Sequence, residues 1–186
     1  MLIEELAKEL DNIKKADEVG RYAVSRIQKR IADGKFTSHA AITQKARPGG
    51  KILRDNSTLI NSISYRISGQ SVFVFTPLVY AKIQNDGGTV TAKKGALTIP
   101  CHPVVRTLQR RYGPSAKEVL GGLKAAGYSV WRQGRAIFYR KKGGRQKEGT
   151  MIYVLTKSVT IPARPFMYLD KDEQRAVLDI IGGRLI

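Results

Sequence analysis

The sequence is poor in the residues that most active sites are built from. Of 186 residues one is cysteine, Cys101, and two are histidine, His39 and His102. A single cysteine excludes an intrachain disulfide and points to a reducing compartment. Cys101 and His102 are adjacent, and no CxxC or HxxxH spacing occurs. Neighbouring residues rarely ligate one ion in a tetrahedral site, so a small buried thiol beside a turn histidine is the better account. Acidic residues are thin through the middle of the chain. Only Asp33, Asp55 and Asp86 fall between 31 and 90, and only Glu118 between 91 and 147. No GxSxG elbow is present, and a histidine next to Cys101 in a proline-flanked turn is badly placed to take its proton. The densest acidic group, Asp170, Asp172 and Glu173, sits at a helix start, where the helix dipole favours it without any catalytic role. Gly49-Gly50-Lys51 lacks the phosphate-loop spacing, and Gly121-Gly122 lies within a helical stretch. These shortages predict no catalytic residue, no metal site and no cofactor. No apolar run approaches the roughly 20 residues of a membrane span. The start, MLIEELAKELDNIKK, lacks a charged-then-apolar signal layout. A soluble protein made in the cytosol, with no membrane partner, is the expectation.

What the chain has in excess is positive charge. Lysine and arginine number 33 against 15 acidic residues, a formal net charge of +18. Residues 91–147 hold fourteen basic side chains and one acidic one, whereas residues 1–30 and 148–186 are close to neutral. Such a polycation implies a polyanion, a strongly acidic protein surface or nearby DNA as its partner. Hydrophobic residues make up 42%, enough for a real core, so disorder throughout is excluded.

Periodicity predicts a helix over 2–33. Ile3, Leu6, Leu10 and Ile13 mark one face, and Ala23, Val24, Ile27 and Ile31 continue it after a phase adjustment near Asp17–Gly20. Gly34 is its stop. Residues 35–56 read as loop, and 57–61 as one helical turn. Alternation over 62–68 and 71–76, joined by Gly69-Gln70, predicts a hairpin with Ile63, Tyr65 and Ile67 on one face. Residues 78–85 suit a short helix. A second hairpin is expected from 89–92 and 96–99 around Lys93-Lys94-Gly95. Residues 104–126 read as helix in two pieces broken at Gly113-Pro114, the second capped by Ser115 with Glu118 at the capping-box position. A third hairpin pairs 128–132 with 135–140 across Gln133-Gly134. Strands follow at 151–156 and 158–161. Asp170 and Glu173 cap a last helix whose buried side is Val177, Leu178 and Ile181. The predicted class is α+β: an antiparallel sheet built from hairpins, packed by a long N-terminal and a short C-terminal helix, in a single domain 1–186 with 101–149 as a basic insertion.

That insertion interleaves Arg132, Arg135, Arg140, Lys141, Lys142, Arg145 and Lys147 with Tyr128, Trp131, Phe138 and Tyr139. Basic and aromatic side chains together suit sequence-independent nucleic-acid binding by phosphate neutralisation and stacking. For the charge, a solvated hairpin is an equally good account. For the aromatics, alternation already places Ile137 and Tyr139 on one face as cross-strand packing.

Three strings carry a resemblance. They are Leu53–Ile63 (LRDNSTLINSI), directly followed by a hairpin; Pro77–Gly88 (PLVYAKIQNDGG); and Thr160–Leu169 (TIPARPFMYL), followed by a capped terminal helix. In this order they resemble the phage virion morphogenesis family, the tail-completion proteins of the phage Mu G type. One departure is that Asn85-Asp86 stand where an aromatic precedes the glycine of the second string. The resemblance implies a non-enzymatic virion protein at the neck or head-proximal tail end, made in the host cytoplasm. It implies a ring, sixfold by analogy, that meets the tail tube or the connector and head-completion proteins, with genomic DNA passing through the channel. The residues that carry it are Leu59, Ile63, Tyr80, Ala81, Gly87, Pro162, Arg164, Pro165 and Phe166, read as fold-defining. Pro162 and Pro165 stiffen the strand exit. Arg164 between them is expected to point outward or to pair with a carboxylate, and Phe166 to plug a core above Leu59 and Ile63.

Overall fold

A computed structural model describes residues 2–69, 71–143 and 148–182, with side chains from Asp11 onward. Along the chain run α1 (Leu2–Asp33), α2 (Ala41–Ala46), α3 (Thr58–Ser62), β1 (Ser64–Ser68), β2 (Ser71–Phe75), α4 (Ala81–Asp86), β3 (Gly88–Thr91), β4 (Leu97–Pro100), α5 (Val104–Tyr112), α6 (Ala116–Ala125), β5 (Tyr128–Gln133), β6 (Ala136–Lys141), β7 (Thr150–Thr156), β8 (Ser158–Ile161) and α7 (Lys171–Ile181). The class is α+β, and every strand pairing described is antiparallel. The chain divides into two compact units. The first holds residues 1–37, 51–87 and 162–186; the second holds 38–50 and 88–161. The sequence marks 101–149 as the inserted piece, whereas the compact unit around it begins at Gly88, ends at Ile161 and takes in Ser38–Gly50.

In the first unit, α1 buries a stripe of Ala23, Ile27 and Ile31. Spacings of four keep that stripe on one face. Ile27 and Ile31 join Leu59, Ile63, Ala81 and Phe166 in one apolar cluster. The expected phase adjustment near Asp17–Gly20 does not interrupt the helix. Gly20 instead seats the Tyr65 ring, since a Cβ there would lie 2.2 Å from Tyr65 Cδ2, and the Tyr65 hydroxyl donates to Asp17. Ile13, expected on the buried face, is half exposed. Ile3, Leu6 and Leu10 lie outside the described side chains. The hairpin β1–β2 pairs Ser64 with Phe75 and Ser68 with Ser71. Along α7 the buried face is Glu173 and Ile180 rather than the expected Leu178 and Ile181, and Leu178 is 66% exposed. The helix is rotated because Glu173, not an apolar residue, anchors its first turn.

The second unit contains a four-stranded sheet in the order β4-β7-β6-β5 and a separate β3–β8 ribbon. The two strands expected to pair around Lys93-Lys94-Gly95 both form, but β3 pairs with β8 and β4 with β7. For β4 the gain is plain, since through β7 it joins the four-stranded sheet, whereas a lone hairpin is marginal in water. The β5–β6 turn sits one residue later than expected. Gln133 pairs with Ala136, leaving Gly134-Arg135 as the turn, with Gly134 at φ +57, the sign that two-residue hairpin turns require. A short helix, α2, occupies part of the expected loop. Val105, Leu108, Val119 and Leu123 of the two sequential helices pack against Ile137, Ile152 and Tyr153. Ile152 and Tyr153 are consecutive yet both buried, because a register shift sets Ile137 opposite Tyr153 and Phe138 opposite Met151. The Ser115–Glu118 capping box at α6 forms as expected.

Gly20→Ala drives a methyl group into the Tyr65 ring. The expected cost is about 2 kcal/mol, the usual scale of overpacking. Denaturant unfolding checks it: the midpoint should fall with the m-value unchanged.

Candidate functional site

The three strings of the first unit meet in space. Pro162 and Pro165 lack N–H groups, which leaves few donors along the strand exit. Those donors converge on the end of α4. Arg164 N–H bonds to the carbonyls of Gln84 and Asn85, both at 3.1 Å. Phe166 N–H and Met167 N–H both donate to Asn85 Oδ1 at 2.9 Å. The terminal carbonyls of a helix need partners from outside it, and the third string supplies them to the second. Gly87 closes α4 at φ +74, and its N–H donates to the Ile83 carbonyl at 3.0 Å. Leu59 and Ile63 of the first string and Ala81 of the second surround Phe166, which is fully buried.

Arg164 does not point outward. Its side chain is 3% exposed, with Nε donating to the Thr37 carbonyl at 2.9 Å and Nη1 to Gln84 Oε1 at 3.0 Å. Burial pulls its pKa down from the ordinary guanidinium value. Tyr80 and Pro165 remain exposed, and Pro162 is half-buried.

A second buried charge sits beside this joint. Glu173 is 4% exposed and receives Arg26 Nε at 2.8 Å and Arg30 Nη2 at 2.5 Å. Its Oε2 also accepts the Asp170 N–H at 2.9 Å, while Asp170 Oδ1 accepts from Asp172 and Glu173 N–H groups. Burial alone would push the Glu173 carboxyl up. The hydrogen bonds from Asp170, Arg26 and Arg30 outweigh it and hold the group below the ordinary value. Arg30 also donates to the Tyr168 carbonyl at 2.7 Å and lies 3.9 Å over the Tyr168 ring. A recess of about 540 Å³ opens here, lined among others by Lys29, Lys35, Arg164 and Asp33. Asn85, Arg30 and buried Glu173 were not singled out from sequence as tertiary anchors. The one signal for Asn85 was that it stands near where an aromatic was expected.

The second unit gathers the charge. It holds 17 of the 33 basic residues and, of the acidic ones, only Glu118 and Glu148. The first unit holds 16 basic and 13 acidic residues. Arg132, Arg135, Arg140, Lys141 and Lys142 are all exposed on or beside the β5–β6 hairpin. Arg145 and Lys147 lie outside the described residues. Trp131 and Phe138 are direct cross-strand partners, their rings 5.7 Å apart and 15° from parallel. Arg140 lies 6.0 Å over Trp131. Tyr128 and Tyr139 meet at 5.8 Å on the other face, against the helical core, as alternation implied. Cys101 is buried, which pushes its thiol up. His102 Nδ1 accepts the Val104 N–H at 3.1 Å, at the start of α5.

Compared with known proteins, the chain matches no family model, no curated protein and no solved structure.

Glu173→Gln keeps the shape and removes the charge that Arg26 and Arg30 share. The expected loss is about 3 kcal/mol, the scale for breaking a buried ion pair. The sign with pH follows from the lowered carboxyl. Its stabilisation is present above the unfolded value of 4.5 and is lost as pH falls through the lower folded value. Thermal melts through this acid range should show the gap between wild type and Glu173→Gln closing as pH drops.

Proposed function

We propose that this chain is a structural protein of a tailed-phage particle. It acts at the neck or head-proximal tail end, completing the tail, joining it to the head, or both, as a ring of identical subunits and without catalysis. The observation that carries this reading is the convergence of the three strings. Leu59, Ile63, Ala81 and Phe166 share one cluster, and the second and third strings are tied through Asn85 and Arg164.

A second feature of the first unit fits assembly. Phe73 and Phe75 alternate outward along β2 at 47% and 41% exposure, and Val79 just beyond it is 96% exposed. In the first unit β1 and β2 pair only with each other among the described residues, so each strand offers an outer edge. Exposed apolar side chains beside open edges suit pairing with a neighbouring copy. In a ring that contact is heterologous and closes by rotation.

A second reading is favoured by the charge of the second unit: sequence-independent binding to nucleic-acid backbones through residues 104–147. A charge of +15 from 17 basic and two acidic residues is neutralised most fully by a polyanion.

Electron microscopy of particles from a host carrying a deletion tests the first reading. Complete but unjoined heads and tails, or tails of uncontrolled length, are expected; normal infectious particles would end it. For the isolated chain, Phe73→Ser with Phe75→Ser should shift sedimentation from ring to monomer, with the melting temperature little changed.

A further inference from the structure

The four-stranded sheet has two unlike faces. On one, Val130 and Tyr139 pack with Ile137 against the helical core. On the other, Trp131 and Phe138 stand side by side, Arg140 lies over the indole, and exposed Met151 is opposite Phe138. Both rings are partly exposed. The indole is held in place: a Cβ on Gly149 would come within 2.1 Å of Trp131 Cη2, so only glycine lets the chain lie against the ring there. Two near-parallel rings, fixed before any ligand arrives, offer a π-face at little entropic cost. Cations lie at both ends of the hairpin. Arg135 is in the turn, and Arg140, Lys141 and Lys142 are at the far end, roughly 20 Å along the strand at 3.3 Å per residue.

We propose that this face binds single-stranded nucleic acid. Unpaired bases extend the Trp131–Phe138 stack, while Arg140, on the same face, and Lys142, just beyond the strand, hold phosphates. The proposal rests on the polyanion reading of the second unit and adds what charge alone does not supply. Phosphate neutralisation is blind to whether bases are paired, whereas a flat aromatic pair engages bases only when their faces are free. An acidic protein surface would satisfy the cations and leave the rings without a partner.

Trp131 is the chain's single tryptophan, so its fluorescence reports this face in the unaltered protein. The full chain is titrated with a short oligo(dT), a duplex of the same length, heparin and polyglutamate. Tryptophan emission is followed together with the anisotropy of labelled ligand, across a salt series. Saturable quenching by oligo(dT), absent with heparin, polyglutamate and duplex, is the expected result. Phe138→Leu should weaken oligo(dT) binding roughly tenfold and leave heparin binding unchanged. Binding of oligo(dT) with unchanged Trp131 emission would overturn the stacking face and leave the backbone-only reading standing. Equal quenching by polyglutamate would overturn it in favour of an acidic protein partner. No binding to either nucleic acid would overturn this proposal and the polyanion reading together. The particle microscopy above is independent of all these outcomes.

Discussion

A carboxylate taken out of water must be met by donors or it will not stay charged, and Glu173 is the carboxylate on which the first unit turns. It occupies the third position of α7, so it caps its own helix through the Asp170 N–H. It also takes guanidinium groups from Arg26 and Arg30. Those arginines are four residues apart, hence on one face of α1 and one turn apart. A single side chain thus fixes where α7 begins and how it is rotated. Arg30 has donors left over, and they go to the Phe166 and Tyr168 carbonyls. The segment that carries Phe166 into the core is therefore held by the same cation that holds the helix after it. From the other side Asn85 takes the Phe166 and Met167 N–H groups. The proline-flanked strand exit is gripped on both its acceptors and its donors.

Charge separates the two units more sharply than any motif does. One has 16 basic against 13 acidic residues, and Asp11, Asp17, Asp172 and Glu173 are engaged in ion pairs along α1 and α7. The other has almost no acidic residue to pair with. Self-repulsion of that kind weakens a compact state, and the second unit offsets it with an apolar core of two helices on a sheet. The neutral unit presents Phe73, Phe75 and open strand edges; the cationic one presents stacked rings under an arginine. The two contacts proposed above, one between copies and one with a polyanion, would fall on different parts of one chain.

How much of this was legible beforehand depended on whether the cause was local. Ser115 with Glu118, and Asp170 with Glu173, announced two helix starts, because a capping box needs only residues three apart. Gly34 and the Arg164 prolines likewise acted on their own neighbourhood. Leu59, Ile63 and Phe166 could be named as core from their type and strings. Asn85 could not, since its partners lie some eighty residues away in sequence. The outward alternative for Arg164 failed for the same reason. An arginine between prolines belongs at the surface unless a carbonyl from Thr37 and an amide from Gln84 happen to await it.

The strands at 89–92 and 96–99 show where local information stops. Their alternation made them strands, and their proximity made a hairpin the simplest pairing, yet each joined a different part of 150–161. Backbone hydrogen bonds are much alike in any antiparallel pair, so alternation by itself does not choose the partner. Likewise the apolar positions of α7 were plain from the chain, but which of them faced inward was set by a buried charge and two distant arginines. Helix, strand, cap and charge were written in neighbouring residues. Partner, register and rotation were decided by side chains that only folding brings together.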